Sequence, residues 1–138
     1  MKINYRERKG AMMRPLFEGN TVLEQRYEPR YRTRLAIYYG PDQRKLMRDY
    51  SINMSTGGIF VETSTPLPED TTLYLKFMLP AATKPITCTS KVAWTNAPGK
   101  IRSKGLPVGM GLQFLDLPLE KLHSIRKYIY EGGLVPEW

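Results

Sequence analysis

The stretch Thr72-Leu-Tyr-Leu-Lys-Phe-Met-Leu79 decides the fold class, because its side chains alternate in character along the chain. Successive side chains of a β-strand point to opposite faces, so such a pattern gives one face that can pack on a core. That face would consist of Leu73, Leu75, Phe77 and Leu79. We therefore predict an amphipathic β-strand at this position.

Comparable short patterns lie on both sides of this strand. They predict strands over 31–39, 45–52, 59–61, 86–94 and 108–114. In the stretch 86–94, we expect Ile86, Cys88, Val92 and Trp94 to share one face. Short strands at this spacing, separated by Gly and Pro turns, are typical of an antiparallel barrel or sandwich. A barrel is favoured because closure removes the exposed strand edges.

A different period marks the C-terminal region. Apolar residues at helical spacing predict a helix from Pro118 to Glu131, with its apolar stripe formed by Leu119, Leu122, Ile125 and Ile129. The fold class is therefore all-β: a small six-stranded antiparallel β-barrel with a C-terminal α-helix. We expect residues 1–22 to form a flexible N-terminal arm, residues 23–132 the barrel domain with its helix, and residues 133–138 a tail.

Composition excludes several classes of site. The single Cys88 and single His123 cannot form an internal disulfide or a His/Cys zinc cluster. We expect no metal site and no cofactor. Cys88 is expected in the core, and His123 is expected to be structural. No P-loop, nucleophile elbow or dinucleotide fingerprint occurs, so no catalytic residue is nominated and we do not expect an enzyme. The chain has neither a membrane-spanning run nor a signal-peptide pattern, and we expect a cytoplasmic protein.

The net charge of +8 predicts an anionic partner. Residues 1–50 hold 12 Lys and Arg against 6 Asp and Glu, whereas the remainder of the chain is nearly balanced. Four arginines fall within nine residues: Arg26, Arg30, Arg32 and Arg34. Such a concentrated cluster is better suited to a small polyanion than to coating DNA, for which basic charge would more often be spread along a face.

Two local features could form a binding site. The first is Arg26-Tyr-Glu-Pro-Arg30, whose arginines offer planar forks that match a phosphate or the Hoogsteen edge of guanine. The second is Asn53-Met-Ser55-Thr-Gly57-Gly58, where paired glycines permit positive φ and the close approach of a flat ligand. Asn53 and Ser55 could either bond the Watson–Crick edge of a base or brace the turn itself.

Together these features resemble the PilZ domain family. Arg26-x-x-x-Arg30 matches its arginine motif, and Asn53-x-Ser55-x-x-Gly58 matches its second motif, in which Asn53 stands where Asp is more frequent. Val108-Gly-Met-Gly-Leu-Gln-Phe114 and the following helix resemble the end of the domain, so that the resemblance covers roughly residues 24–131.

This resemblance implies a receptor for cyclic di-GMP, which the family often holds as an intercalated dimer. Carried over, Arg26 and Arg30 would hold phosphate and base, Asn53 and Ser55 would bond a guanine edge, and Gly58 would leave room for it. Additional candidates are Arg32, Arg34 and Gly57. An alternative register, Arg30-x-x-x-Arg34, has the same spacing. The expected output is a changed surface for an unidentified downstream protein.

Two other functions are compatible with the sequence. One is a PilZ-fold protein-interaction module that binds no nucleotide. The other, less favoured, is single-stranded nucleic-acid binding on exposed aromatic residues, namely Tyr38, Tyr39, Tyr74 and Trp94.

Overall fold

The computed structural model describes residues 29–137. Its strands are β1 (Arg30–Arg32), β2 (Ala36–Gly40), β3 (Met47–Met54), β4 (Gly58–Glu62), β5 (Thr72–Phe77), β6 (Ile86–Asn96), β7 (Gly109–Phe114) and β8 (Val135–Glu137). One helix, α1 (Leu119–Glu131), lies between β7 and β8. The predicted all-β class with a C-terminal helix is confirmed.

Six of these strands close into an antiparallel barrel. Its order is β2-β5-β6-β7-β4-β3, and β3 pairs back to β2. The barrel interior holds the alternating apolar face predicted from the sequence, including Leu73, Leu75 and Phe77, each at most 2% exposed. The short strands β1 and β8 extend the sheet beyond β3, in the order β3-β1-β8.

The first predicted strand, 31–39, is divided into β1 and β2 by the buried side chain of Ser51. Its Oγ donates to the Thr33 carbonyl over 2.6 Å and accepts from the Leu35 amide over 2.9 Å. The hydroxyl therefore takes over bonds that backbone groups of β3 would otherwise make. This break separates the first strand into a barrel segment and a segment, β1, that lies beside the end of β3.

The prediction that Trp94 shares a face with Ile86, Cys88 and Val92 is wrong. A register shift between Val92 and Trp94 in the β6–β7 pairing turns the indole away from the barrel core. Trp94 instead contacts Phe60, with ring centroids 5.3 Å apart. A side chain on Gly111 would collide with the Trp94 indole, which explains the glycine there. A bulge of one residue reverses every face assignment that follows it.

The aromatic residues considered as stacking platforms are largely used in packing. Tyr39 is 1% exposed, and its hydroxyl donates to Asp49 over 2.6 Å. Burial and the Asp49 hydrogen bond raise the pKa of this phenol to about 12. Trp94 lies against Phe60 as described above, and Tyr38 and Tyr74 are half-buried. These positions give no support to a run of exposed stacking residues.

Helix α1 packs through Ile125 and Ile129, both at most 2% exposed. Leu119, which was predicted on the same stripe, is 69% exposed at the first position of the helix, so this assignment is wrong. The Tyr128 hydroxyl is hydrogen-bonded to the Thr33 hydroxyl, which connects the helix to the break between β1 and β2. After the helix, Gly133 has a φ of 72° and turns the chain back toward β1. Residues 133–138 were predicted as a tail, and β8 within them was not predicted.

Cys88 is buried in the core, which predicts that its thiol reacts slowly in the folded protein. Burial, assisted by the nearby Asp116 carboxylate, raises the pKa of its thiol to about 12. Only the thiolate is an efficient nucleophile, so the folded protein should resist thiol reagents at pH 8 and react fully once it is unfolded. Because the folded pKa is raised, the contribution of this group to stability is present below pH about 9 and is lost as pH rises toward about 12. Reagent kinetics with and without denaturant measure the first effect, and rapid labelling of native protein at pH 8 would contradict it.

Candidate functional site

A β-bulge in β3 determines which side chains of this strand point toward β1 and Arg30. Ser51 pairs with Val61 and Asn53 pairs with Phe60, so that Ile52 is an extra residue on β3. In a regular strand without a bulge, strict alternation would put Ser51 and Asn53 on the same inner face. With it, Met54 enters the core at 0% exposure, and Asn53 turns to the face that carries Arg30. The bulge therefore places Asn53 beside Arg30.

Arg30 contacts both polar residues of the second motif. Its Nε donates to Asn53 Oδ1 over 2.7 Å, and its Nη1 donates to Ser55 Oγ over 3.3 Å. Asn53 and Ser55 are 3% and 1% exposed, so they form a fixed support beneath a half-buried guanidinium. Two bonds to one planar group restrict its rotation, which pre-organises Arg30 for an anion or a base edge.

The Ser55 side chain also braces the turn that leads into β4. Its Oγ accepts from the Gly57 amide over 3.1 Å, and its own amide donates to the Gly58 carbonyl over 2.9 Å. The Phe114 amide donates to the Gly57 carbonyl over 3.0 Å, which fixes the turn against β7. Ser55 thus supports Arg30 and the turn at the same time.

Position 58 requires glycine because the neighbouring strand β7 leaves no room for a side chain. A Cβ placed there would lie 2.2 Å from the Leu112 carbonyl oxygen of β7. Positive φ is not the reason, because Gly99 and Gly133 are the positive-φ glycines of residues 29–137 and neither motif glycine is among them. The expected positive φ at the paired glycines is therefore wrong. The close approach that requires glycine at position 58 is that of the β7 backbone.

Glu137 is a member of this cluster that sequence reasoning missed. One carboxylate oxygen accepts a hydrogen bond from Asn53 Nδ2, and the other accepts from Arg32 Nη2 over 2.9 Å. Its side chain is 22% exposed, and it reaches the site because β8 pairs with β1. The only local signal is Val135-Pro-Glu137, a segment too short to predict a strand, with a proline inside it.

The remaining arginine candidates separate in space. Arg32 follows Arg30 on β1, and its side chain, 69% exposed, forms an ion pair with Glu137. Arg34 lies beyond β1, with its guanidinium carbon 4.2 Å from the centre of the Tyr50 ring. It lines a different open cavity of about 340 Å³, together with Tyr50, Glu62 and Thr63. Arg26 lies outside the described residues, as does the predicted arm over 1–22.

The chemistry of this cluster is that of recognition. Arg30, Arg32 and Asn53 present N–H donors in a small area, and anions and guanine edges accept such bonds. Within residues 29–137, no group of three His, Cys, Asp or Glu side chains could hold a metal ion. The same part of the chain contains no helix that is both long and apolar enough to cross a bilayer.

Known structures of low sequence identity share this fold. The structure of the Bacillus subtilis inhibitor of motility MotI (DgrA) matches with a TM-score of 0.61 and 18% identity, covering 77% of this chain and 50% of that one, so this chain corresponds to about half its length. The PilZ domain of CeSA from a cellulose-synthesizing bacterium matches with a TM-score of 0.50 and 18% identity, covering 75% and 96%. The PilZ domain of Escherichia coli YcgR with c-di-GMP matches with a TM-score of 0.56 and 12% identity, covering 78% and 90%.

Sequence comparison assigns the family. The comparison with curated proteins gave no match. The PilZ domain model matches residues 24–131, a range that includes both motifs, the whole barrel and α1. Since this range is most of the chain and the fold agrees with it, the chain belongs to the PilZ domain family.

Proposed function

We propose that this protein is a receptor for cyclic di-GMP, in which ligand binding changes the surface offered to a downstream protein. The observation that carries the proposal is the pair of hydrogen bonds from Arg30 to Asn53 and Ser55, which joins the two motifs into one cluster. PilZ domains bind ligands and partner proteins and are not a catalytic family. The YcgR domain, which has the same fold, carries c-di-GMP in its structure.

In this proposal each residue type has a defined role. Arg30 and Arg26 bind phosphate and the guanine Hoogsteen edge, because guanidinium forks match both. Asn53 and Ser55 hold Arg30 in place and offer polar atoms to a guanine. The concentration of positive charge before β2 attracts the ligand at long range, so the association rate should fall as salt is added.

Titration calorimetry tests this function directly. Cyclic di-GMP is titrated into the folded full-length protein, with cyclic di-AMP and GTP as comparison ligands. We expect a saturable signal with cyclic di-GMP at micromolar concentrations and a weaker one with the comparison ligands. Absence of binding at tens of micromolar, with folding verified by circular dichroism, would overturn the proposal.

The arginine register gives a separate prediction. Arg34 lies over Tyr50 and lines a different cavity, whereas Arg30 bonds Asn53, so we propose Arg26 as the partner of Arg30. Arg26→Ala should weaken binding at least about tenfold, since charge-assisted bonds contribute roughly 1.5–3 kcal/mol each. Arg34→Ala removes the same charge and should have a much smaller effect. Calorimetry of both variants compares them, and the reverse order would favour the Arg30/Arg34 register.

A second candidate is an interaction module that does not bind nucleotide. The observation that favours it is the pairing of both Asn53 and Arg32 with the Glu137 carboxylate, which provides these donors with an acceptor in the absence of a ligand. In that case the titration would show no signal with any cyclic dinucleotide. The protein would still be folded and stable.

A further inference from the structure

Glu137 occupies groups that the proposed ligand would use. Arg30 can only donate hydrogen bonds, so the Asn53 amide presents its oxygen to Arg30 and its nitrogen to the Glu137 carboxylate. The other carboxylate oxygen is bonded to Arg32. An anionic group of this protein therefore already binds one donor of the second motif and one arginine of the cluster.

We infer that Glu137 is an internal competitor for the nucleotide and sets the affinity of the site. This inference rests on the proposed function and goes beyond it by naming an affinity-determining residue outside both motifs. A phosphate or a guanine oxygen can take the N–H donors that Asn53 Nδ2 and Arg32 Nη2 now direct at Glu137 only after the carboxylate has left them. Binding then releases Glu137, and with it the strand that carries it.

The strand that carries Glu137 is suited to release. It has three residues, lies at the end of the sheet and pairs with β1 alone. Val135 is 64% exposed, so little apolar surface holds the strand in place. Pro136 lacks a backbone N–H, and Gly133 with a φ of 72° precedes the strand. Short terminal segments with few buried contacts open at low free-energy cost.

The negative charge of Glu137 should weaken ligand binding, as does its occupation of the Asn53 and Arg32 donors. A carboxylate among the arginines cancels part of the positive potential that attracts a ligand with two phosphates. Removing one unit charge at about 4 Å in a water-like medium changes an equilibrium on the order of fivefold. Replacing Glu137 should therefore tighten binding, whereas replacing an ordinary ligand-contacting residue would weaken it.

The experiment compares Glu137→Gln, Glu137→Ala and a charge-matched control in the full-length protein. Glu120→Gln is the control, because Glu120 is exposed in the first turn of α1. Cyclic di-GMP is titrated into each protein at low salt. We expect Glu137→Gln to bind about fivefold more tightly than the unchanged protein, Glu137→Ala to bind at least as tightly as Glu137→Gln, and Glu120→Gln to bind within about twofold of the unchanged protein.

Hydrogen exchange supplies an independent measurement. Saturating cyclic di-GMP should speed exchange of the Val135 and Glu137 amides while it slows exchange in the turn over 55–58. Equal or weaker binding by Glu137→Gln, or protection of the β8 amides by ligand, would overturn the proposed role of Glu137 as a competitor. Either result would leave the receptor function intact. If neither the unchanged protein nor the Glu137 variants bind cyclic di-GMP, both the receptor function and the role of Glu137 as a competitor are wrong.

Discussion

Arg30→Ala is expected to weaken cyclic di-GMP binding at least about 30-fold, which corresponds to about 2 kcal/mol. Arg30 is the residue that connects β1 with both polar side chains of the second motif. Its loss removes charge-assisted bonds to the ligand and also leaves the buried Asn53 oxygen without the Arg30 donor. Arg30→Lys keeps the charge but loses the planar fork, so it should recover only a small part of the affinity.

The matched control for this change is Arg44→Ala. Arg44 is exposed in the turn between β2 and β3 and carries the same charge. Its replacement should change binding by less than about threefold, as expected for a solvent-exposed charge. Calorimetry and thermal melts of both variants separate lost binding from lost stability. If both variants lose the same small amount of affinity, Arg30 contributes only through net charge, and the assignment of the site is wrong.

Gly58→Ala should damage both stability and binding. The added methyl group would lie 2.2 Å from the Leu112 carbonyl oxygen, which is backbone and cannot rotate away. Strands β4 and β7 must therefore separate, and the turn that carries Ser55 moves with them. Overpacking of this kind costs on the order of 3 kcal/mol. Denaturant titration should show the loss, and binding should weaken even at temperatures where the variant remains folded.

Gly105→Ala is the control for that prediction. It adds the same methyl group at a position where nothing lies within 4 Å. The free energy of unfolding should then change by less than about 0.5 kcal/mol, as is usual for surface changes. Equal stability of the two variants would show that the β4–β7 approach tolerates a side chain.

The strand pattern could be predicted because it follows from local alternation. Leu73, Leu75 and Phe77 lie in the core as their spacing indicated, and the barrel closes as the strand spacing suggested. The family resemblance also depended on local spacing, since each motif lies within six residues. Features that are encoded within one segment were therefore accessible from the sequence.

Other features depend on pairing between distant segments. The bulge at Ile52 turns Asn53 toward Arg30, whereas alternation within β3 would predict Asn53 on the inner face together with Ser51. The bulge near Trp94 had the same effect and produced a wrong face assignment. Glu137 lies 84 positions from Asn53 in the chain, so its contact is a consequence of tertiary structure alone.

The described cluster suggests how binding could alter the surface. Glu137 on β8 accepts hydrogen bonds from Arg32 on β1 and from Asn53 on β3, so a ligand that takes these two donors must displace the carboxylate. Release of β8 would expose the outer edge of β1, which carries unpaired backbone donors and acceptors once its neighbour has left. In this proposal, the surface offered to a partner changes next to the ligand and not at a distance.

We propose that cyclic di-GMP binds at the junction of β1, the 55–58 turn and β8. Backbone amide chemical shifts recorded during a titration of the labelled full-length protein test it most directly. We predict the largest changes at residues 30–32, 53–58 and 135–137, with little change in the outer groove formed by Tyr38, Phe77 and Met78. Large changes in that groove with none near Arg30, or no changes at saturating ligand, would contradict binding at this junction.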